Sequence, residues 1–433
     1  MSDGQNRKTR LSRRHFLIAT GGAILAGIGG GMLLTRNSWQ ASNTQQVKLK
    51  ILGRSAYHEE INNKLMDLFR QRYPNVKFDY LPKGYIDEYQ LFVLSMRNRS
   101  TEYDAMYLDE PWIALAIDNG WLEPIDGADL SGYPKYLASW GKRGSRVYAL
   151  PLTGNANFLF YRKDILDAVG VGRPETWDDV LKAAKRIKEK YTDAGVKIYG
   201  FSANMRKGVA IAQDVFPGFL YPFGGKYFAS DGKTPALNSP EAVEALEFMK
   251  ELLKYSHPRT TEWTNLTEYS EAIRRGEVAM GLVWNGWIKD VDVPEKSQVV
   301  GKIHVMSYPR QKIDFGAQSG VWFYTVSTFS QNKKLAENFV KFATSLEAQK
   351  TAHLEAGLPP TRLKVFKDPE VKSRNRLAEE YYEIVSVVRP VRTSPRWMGM
   401  AESVGTYLYL GLTGQISSEE AIRKAHGEMV KVA

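Results

Sequence analysis

Two short stretches set acids, amides and indole rings side by side. Asp109, Glu110 and Trp112 follow the apolar run YDAMYL, and Trp284, Asn285 and Trp287 close the run AMGLVW. Both runs read as strands, and ligands of parallel sheets gather at the carboxyl ends of strands. Carboxylates and amides there accept or donate hydrogen bonds, and an indole offers a flat apolar face. Asp109 and Glu110 are therefore expected as hydroxyl acceptors, with Trp112 and above all Trp284 as stacking rings. The bland alternative is a capping acid at a helix start with Trp112 in the core, and capping and ligand contact are compatible at Asp109. Core packing stays open for Trp287. Trp121 and Trp177 sit where a helix ends or begins and read as structural staples.

Covalent and metal chemistry have little to work with. The chain has no cysteine, which removes disulfides, thiolate metal sites and sulfur-ligated clusters. His58, His257, His304, His353 and His426 form no HxH or HxxxH pair, and no GxxxxGK phosphate loop is present. A glycosidase needs two carboxylates flanking one bond; Asp109 and Glu110 are adjacent, so their side chains diverge. Tyr381-Tyr382 is the one tyrosine pair of the kind that binds ferric ion, but its context is helical and neighbours on a helix diverge. No cofactor and no catalytic group is expected. The net charge is +11, of which the first 36 residues contribute six Lys/Arg and one Asp. The remaining charge is mild and spread out, which argues against nucleic-acid binding.

The elements that would position these residues follow from periodicity. VKLKILG (47–53) reads as a strand, HEEINNKLMDLFRQRYP as an amphipathic helix ended by Pro74, and VKFDYLP as a second strand. A helix is expected from about Glu88 to Arg97, then the strand YDAMYL and a helix closing at Gly120. That is a parallel α/β unit. Helices with clear starts occur at Thr176 and Ser239, strands at AMGLVW, IHVMSYP and VWFYTVS, a helical stretch over KKLAENFVKFATSLEAQKTAHL, and a helical tail from Ser373. About 390 residues exceed one ordinary core and predict two domains. The absence of a low-complexity linker suggests several short crossings between them.

The N-terminus reads as an address. A basic head (Arg7, Lys8, Arg10, Arg13, Arg14) precedes an uncharged run from Phe16 to Leu34, the layout of an export signal. Ser12-Arg13-Arg14-His15-Phe16-Leu17 resembles a twin-arginine signal, read by its own export machinery. Six glycines within the run weaken it as a membrane helix. Trp39 occupies the position where a cleavage site before Ala41 wants a small residue, so residues 1–41 are either a removed signal or a retained anchor.

In order and spacing, YDAMYLDEPWIALAIDNGWLEPID, RVYALPLTGNANFLFYRKDILDAVGVGRPETWDDVLKAAKRI, EAIRRGEVAMGLVWNGWI and KKLAENFVKFATSLEAQKTAHLEAGLPPTR resemble the family 1 extracellular solute-binding proteins, the maltodextrin-binding-like receptors of ABC importers. The resemblance runs from about Val47 to the end. It implies a two-lobed α/β periplasmic-binding-protein fold (type II-like) with parallel or mixed sheets flanked by helices. Lobe 1 would be 47–153 plus 322–358, and lobe 2 would be 154–321 plus 359–433. Hinge closure would trap a sugar or oligosaccharide in the cleft. Implied partners are the carbohydrate and the membrane permease, for an exported protein expected to be monomeric and not an enzyme. A receptor for glycerol phosphate, a polyamine or ferric ion is the alternative, and an exported glycoside hydrolase a more distant one.

By the same resemblance, Ser55, Tyr57 and His58 lie on the turn that meets the cleft, with Ser55 open to a simple N-cap role. Thr153, Asn155 and Asn157 lie at the first crossing, where Asn155 stands near a position that is a carboxylate in maltodextrin-binding-like proteins. Gln318, Ser319 and Trp322 mark the second crossing. Gln213, Asp214, Trp284, Asn285 and Trp287 belong to the second lobe, and Arg396 and Trp397 to the rim. The chain's ten tryptophans and 23 tyrosines suit a ligand with many hydroxyls and an apolar ring face.

Overall fold

The computed structural model describes residues 46–433; the twin-arginine segment and the 1–41 boundary lie outside them. Two sheets organise the described chain. The first runs Val76–Lys83, Val47–Arg54, Ala105–Asp109, Trp322–Val326, Ala149–Thr153. Its first three strands are parallel, while Trp322–Val326 runs against both of its neighbours. Residues of the three strands from Ala105–Asp109 to Ala149–Thr153 are all buried. Such strands read as continuous apolar runs because both faces are covered. Val76–Lys83 is at the edge, and there Pro82 costs no ladder bond. Tyr57–Arg72 buries Ile61, Leu65 and Phe69 in this core, the spacing that a one-sided helix requires. Tyr85–Arg97, Glu110–Asp118, Lys333–Ala343 and Leu346–Ala356 complete the layer.

The second sheet runs Val388–Arg389, Ala317–Ser319, Ala156–Arg162, Met280–Trp284, with Ile303–Met306 also paired to Ala156–Arg162. One apolar cluster gathers the helices Trp177–Ile187, Pro240–Leu253, Trp397–Leu412 and Ser418–Val432; another gathers Leu266–Arg274 and Ala378–Ser386. Thr176 opens its helix with a full capping box to Asp179, worth about 1 kcal/mol.

The chain crosses between the sheets through very short links. It leaves the first sheet after Thr153 and enters the second at Ala156, then returns between Ser319 and Trp322. A third link begins beside Pro359-Pro360, where Gly154 N–H donates to the Pro359 carbonyl at 2.7 Å. A β-carbon on Gly154 would sit 2.5 Å from the Pro360 oxygen, so only glycine lets these two links touch. Thr361 and Arg362 still bond back to Gln349 and Asp129 beside the first sheet, whereas Leu363 already packs against the apolar cluster of the second sheet and Phe366 is buried in it.

Three local expectations change. The helix expected from Glu88 starts at Tyr85, because Gly84 ends the preceding strand and Asp87 and Glu88 fill its first turn. The helical stretch from Lys333 breaks at Thr344, where Ser345 caps a new helix. The tail contains the short strand Val388–Arg389, which joins the second sheet.

Candidate functional site

A cavity of about 510 Å³ lies between the two sheets. Its first wall carries Arg54, Tyr57, His58, Tyr85, Asp109 and Trp322; its second carries Asn204, Arg206, Lys207, Gln213, Asp214, Trp284, Trp287, Arg392 and Glu402. Asn155, on the first crossing, forms part of the floor.

Strand ends deliver the key groups. Asp109 is the last residue of its strand and pairs in register with Trp322, the first of the antiparallel neighbour. Trp284 ends the strand Met280–Trp284 in register with Asn157. Gly320 packs against the Trp284 ring, and a β-carbon there would come within 2.3 Å of it. The second crossing must therefore be glycine for the indole to lie where it does.

A buried polar network ties the walls together. Arg392 donates to Asp109 at 2.6 Å, with both side chains nearly inaccessible. Asp109 also accepts from the Glu110 N–H at 2.9 Å, capping the helix Glu110–Asp118, and from the Tyr85 hydroxyl at 2.7 Å. The same hydroxyl lies 3.1 Å from Gln213 Oε1. Tyr57 donates to Asn155 Oδ1 at 2.9 Å. The Trp284 indole donates to Asp214 Oδ1 at 3.0 Å, and the Asn204 amide to its other oxygen at 3.3 Å. Burial pushes the Asp214 carboxyl up to about 6, against the pull of its Trp284 bond and of Arg392. Burial holds His58 well below its ordinary value, with the Arg54 charge adding to it; a neutral imidazole stacks on Tyr57 and leans on Trp322.

Of the residues proposed from sequence, Tyr57, His58, Asp109, Asn155, Gln213, Asp214, Trp284, Trp287 and Trp322 line this cavity, and the others do not. Trp112 is in the core, packed against Tyr85, Phe92 and Trp322. Glu110 is buried and accepts from the Ser319 hydroxyl through Oε2, while its Oε1 is buried without a hydrogen-bond partner. Asn157 bonds the Asp214 carbonyl, and Gln318 the Gln213 carbonyl. Buried Trp397 directs its N–H at Gln213 Oε1, 3.3 Å away. Ser55 neighbours Arg54 but lies outside the lining, and Arg396 reaches the Val432 carbonyl instead. Asn285 holds the Gly154 carbonyl and borders a separate cavity of about 450 Å³. That second cavity has apolar lining (Ile288, Phe366, Leu377), and its cations Lys289, Lys296 and Arg374 are paired with Glu60, Asp290 and Glu370. The first cavity brings three indoles together with convergent polar groups from both sheets.

Sequence reading missed Arg54, Tyr85, Asn204, Arg206, Lys207 and Arg392. The strand-end rule would have found Tyr85, two residues beyond Val76–Lys83. Asn204 follows a stretch held to the second sheet only by isolated bridges at Tyr199 and Ser202, too slight to show as a strand. Arg392 lies in an irregular segment with no pattern to mark it. Among the described residues no group of His, Asp or Glu is arranged to hold a metal ion.

The fold and this interlobe site define a class. The chain belongs to the bacterial extracellular solute-binding protein family, whose profile matches residues 53–350. Among its relatives, a probable ABC transporter-binding protein of Deinococcus radiodurans is 22% identical over 364 residues, covering 82% of this chain and 86% of that protein. The mannitol-binding protein of Pseudomonas aeruginosa is 24% identical, covering 84% and 87%. The maltose-bound MalE3 of T. maritima superposes with a TM-score of 0.79 at 26% identity, covering 89% of this chain and all of that one. A ribitol-bound binding protein of Agrobacterium radiobacter gives 0.78 at 24% identity, covering 90% and 99%, and shares the two-lobed fold.

Proposed function

We propose that the protein is the extracytoplasmic receptor of an ABC importer, which captures a sugar or sugar-derived polyol between its lobes and presents it to the membrane permease. The observation that carries this reading is the convergence of Trp284, Trp287 and Trp322 with Asp109, Asn155, Asp214 and Gln213 on one interlobe cavity. Rings cover the apolar face of a pyranose or an extended polyol, and amides and carboxylates meet its hydroxyls. The printed ligands of several relatives, among them maltose, mannitol and arabinooligosaccharide, support the same class.

Lobe 1 is taken as 47–153 plus 322–358 and lobe 2 as 154–321 plus 359–433, supported by the passages of the chain between the two sheets at 154–155 and 320–321. Ligand touches both walls only when the lobes are closed, so it favours that state. The protein acts as a monomer and performs no reaction. Supporting this, Asp109 is held by Arg392 and a helix start, and Asp214 by Trp284 and Asn204, so each carboxyl has a binding and structural role without a catalytic one. Tyr381 packs on Phe158 and Phe366 away from the cavity, which disfavours ferric ion, and the cationic walls disfavour a polyamine. Export through the twin-arginine route, with residues 1–41 removed or kept as a tether, completes the reading.

A melt of the exported part with monosaccharides, oligosaccharides and polyols tests it. A true ligand at a hundredfold over its Kd adds about 2.7 kcal/mol. No shift with any carbohydrate contradicts the reading, and consumption of the compound points to an enzyme.

A further inference from the structure

The charges around the cavity are not balanced in the way a neutral sugar would need. Four cations, Arg54, Arg206, Lys207 and Arg392, line it against three acids, Asp109, Asp214 and Glu402. Each acid is already engaged: Asp109 with Arg392, Asp214 with Trp284 and Asn204, and Glu402 with the Val209 N–H at 3.1 Å. Of the cations, Arg392 is paired with Asp109, and the other three have no acid partner. Among the described residues, no carboxylate lies within ion-pair distance of Arg54, Arg206 or Lys207. Arg54 is half-buried, its guanidinium 5.7 Å from the Tyr85 ring centre, and that guanidinium donates to the Lys83 carbonyl at 3.0 Å and to the Ser55 hydroxyl at 3.4 Å. Arg206 and Lys207 stand exposed on the opposite wall, Arg206 giving one N–H to the Thr264 carbonyl and keeping the rest of its fork. The unspent capacity of the site is therefore in donors and positive charge.

We infer that the solute is an anionic sugar, carrying a carboxylate or phosphate that Arg54 meets from one wall and Arg206 and Lys207 from the other. This rests on the sugar-receptor reading and narrows it. A guanidinium fork matches a carboxylate or phosphate with paired N–H groups. Placing the cations on both walls also gives the ligand leverage over closure. Like charges oppose each other as the lobes approach, and an anion between them converts that repulsion into attraction. The anion thus binds the closed state better than the open one, which is the condition for driving the change. Glu88 does not supply the missing counter-charge: both of its oxygens are buried without a partner, and burial favours its neutral form.

The test is isothermal titration of the exported protein with matched pairs: glucose against glucuronate and glucose phosphate, galactose against galacturonate and digalacturonate. At low ionic strength at least one acid is expected to bind ten or more times tighter than its neutral counterpart, with the gap narrowing in salt. A uronate winner identifies a carboxylate solute, and a sugar-phosphate winner a phosphorylated one. Arg54→Gln should reduce the acid-to-neutral ratio by about tenfold, and the exposed-rim variant Lys207→Gln should shift it in the same direction without a folding risk. If neutral sugars bind as well as or better than the acids, the anionic inference falls while the receptor reading stands. If no sugar of either kind binds, both fall.

Discussion

Trp284 illustrates how a residue serves two purposes. It ends a strand, as a stacking platform would, and it lines the cavity, but it is only 7% exposed and donates to Asp214. Trp284→Ala should therefore abolish ligand binding and also lower stability by about 3 kcal/mol, since it opens a cavity and strands a buried acid; urea unfolding and fluorescence titration read the two effects separately. Asp214 gives a second prediction. Its folded value of about 6 lies above the ordinary 3.8, so the folded protein holds this proton more tightly than the unfolded chain. Its contribution favours folding at low pH and is lost as pH rises from about 4 through 6. Asp214→Asn, which keeps an acceptor for the indole, should remove that slope and exceed the native protein above pH 6 by on the order of 2 kcal/mol. A variant with the native pH profile between 4 and 6 would show that another group carries it. Arg392, Tyr85 and Tyr308 are the other charged or titratable side chains that sense this carboxyl.

At the scale of elements, the crossings matter most. Gly154→Ala forces the first crossing away from Pro360 and should cost about 2 kcal/mol, as overpacking does, with altered closure in small-angle scattering. A variant of native stability and native closure would show that the strands separate freely there. The elements were largely legible from sequence: the alternation in Val47–Gly53 and the spacing of Ile61, Leu65 and Phe69 mark a strand and a one-sided helix whatever surrounds them. What local pattern does not reveal is which residues meet across the cleft. Asp109 and Trp284 follow from the strand-end rule, and Trp322 from the second crossing that the family resemblance implies. Trp112 sits three residues from Asp109, yet the turn of the helix carries it into the core. Arg392 reaches Asp109 from 283 residues away, and only the assembled sheets bring them together.

At the scale of the whole molecule, the buried Asp109–Arg392 pair spans the two walls of the cavity, and under the proposed closure it is a contact of the closed state. Breaking it from one side leaves a buried charge unpaired, which typically costs 3–5 kcal/mol. Arg392→Met should therefore shift the ligand-free protein toward an open form, seen as a larger radius of gyration, and weaken ligand binding by requiring ligand to close a cleft that now resists. An unchanged radius of gyration would mean the pair plays no part in closure. The second cavity, with its lysines paired, is expected to leave binding untouched: Lys296→Gln should bind sugar like the native chain. Reduced binding in that variant would bring the second cavity into the mechanism.

The most direct measurement is a titration of intrinsic tryptophan fluorescence with a panel of neutral and acidic sugars and polyols. Trp284, Trp287 and Trp322 all border the cavity, so a bound sugar should produce a saturable change in emission that is absent in Trp284→Ala. A flat response to every carbohydrate, from a protein whose melt shows it folded, would contradict the assignment of this cleft to sugar capture.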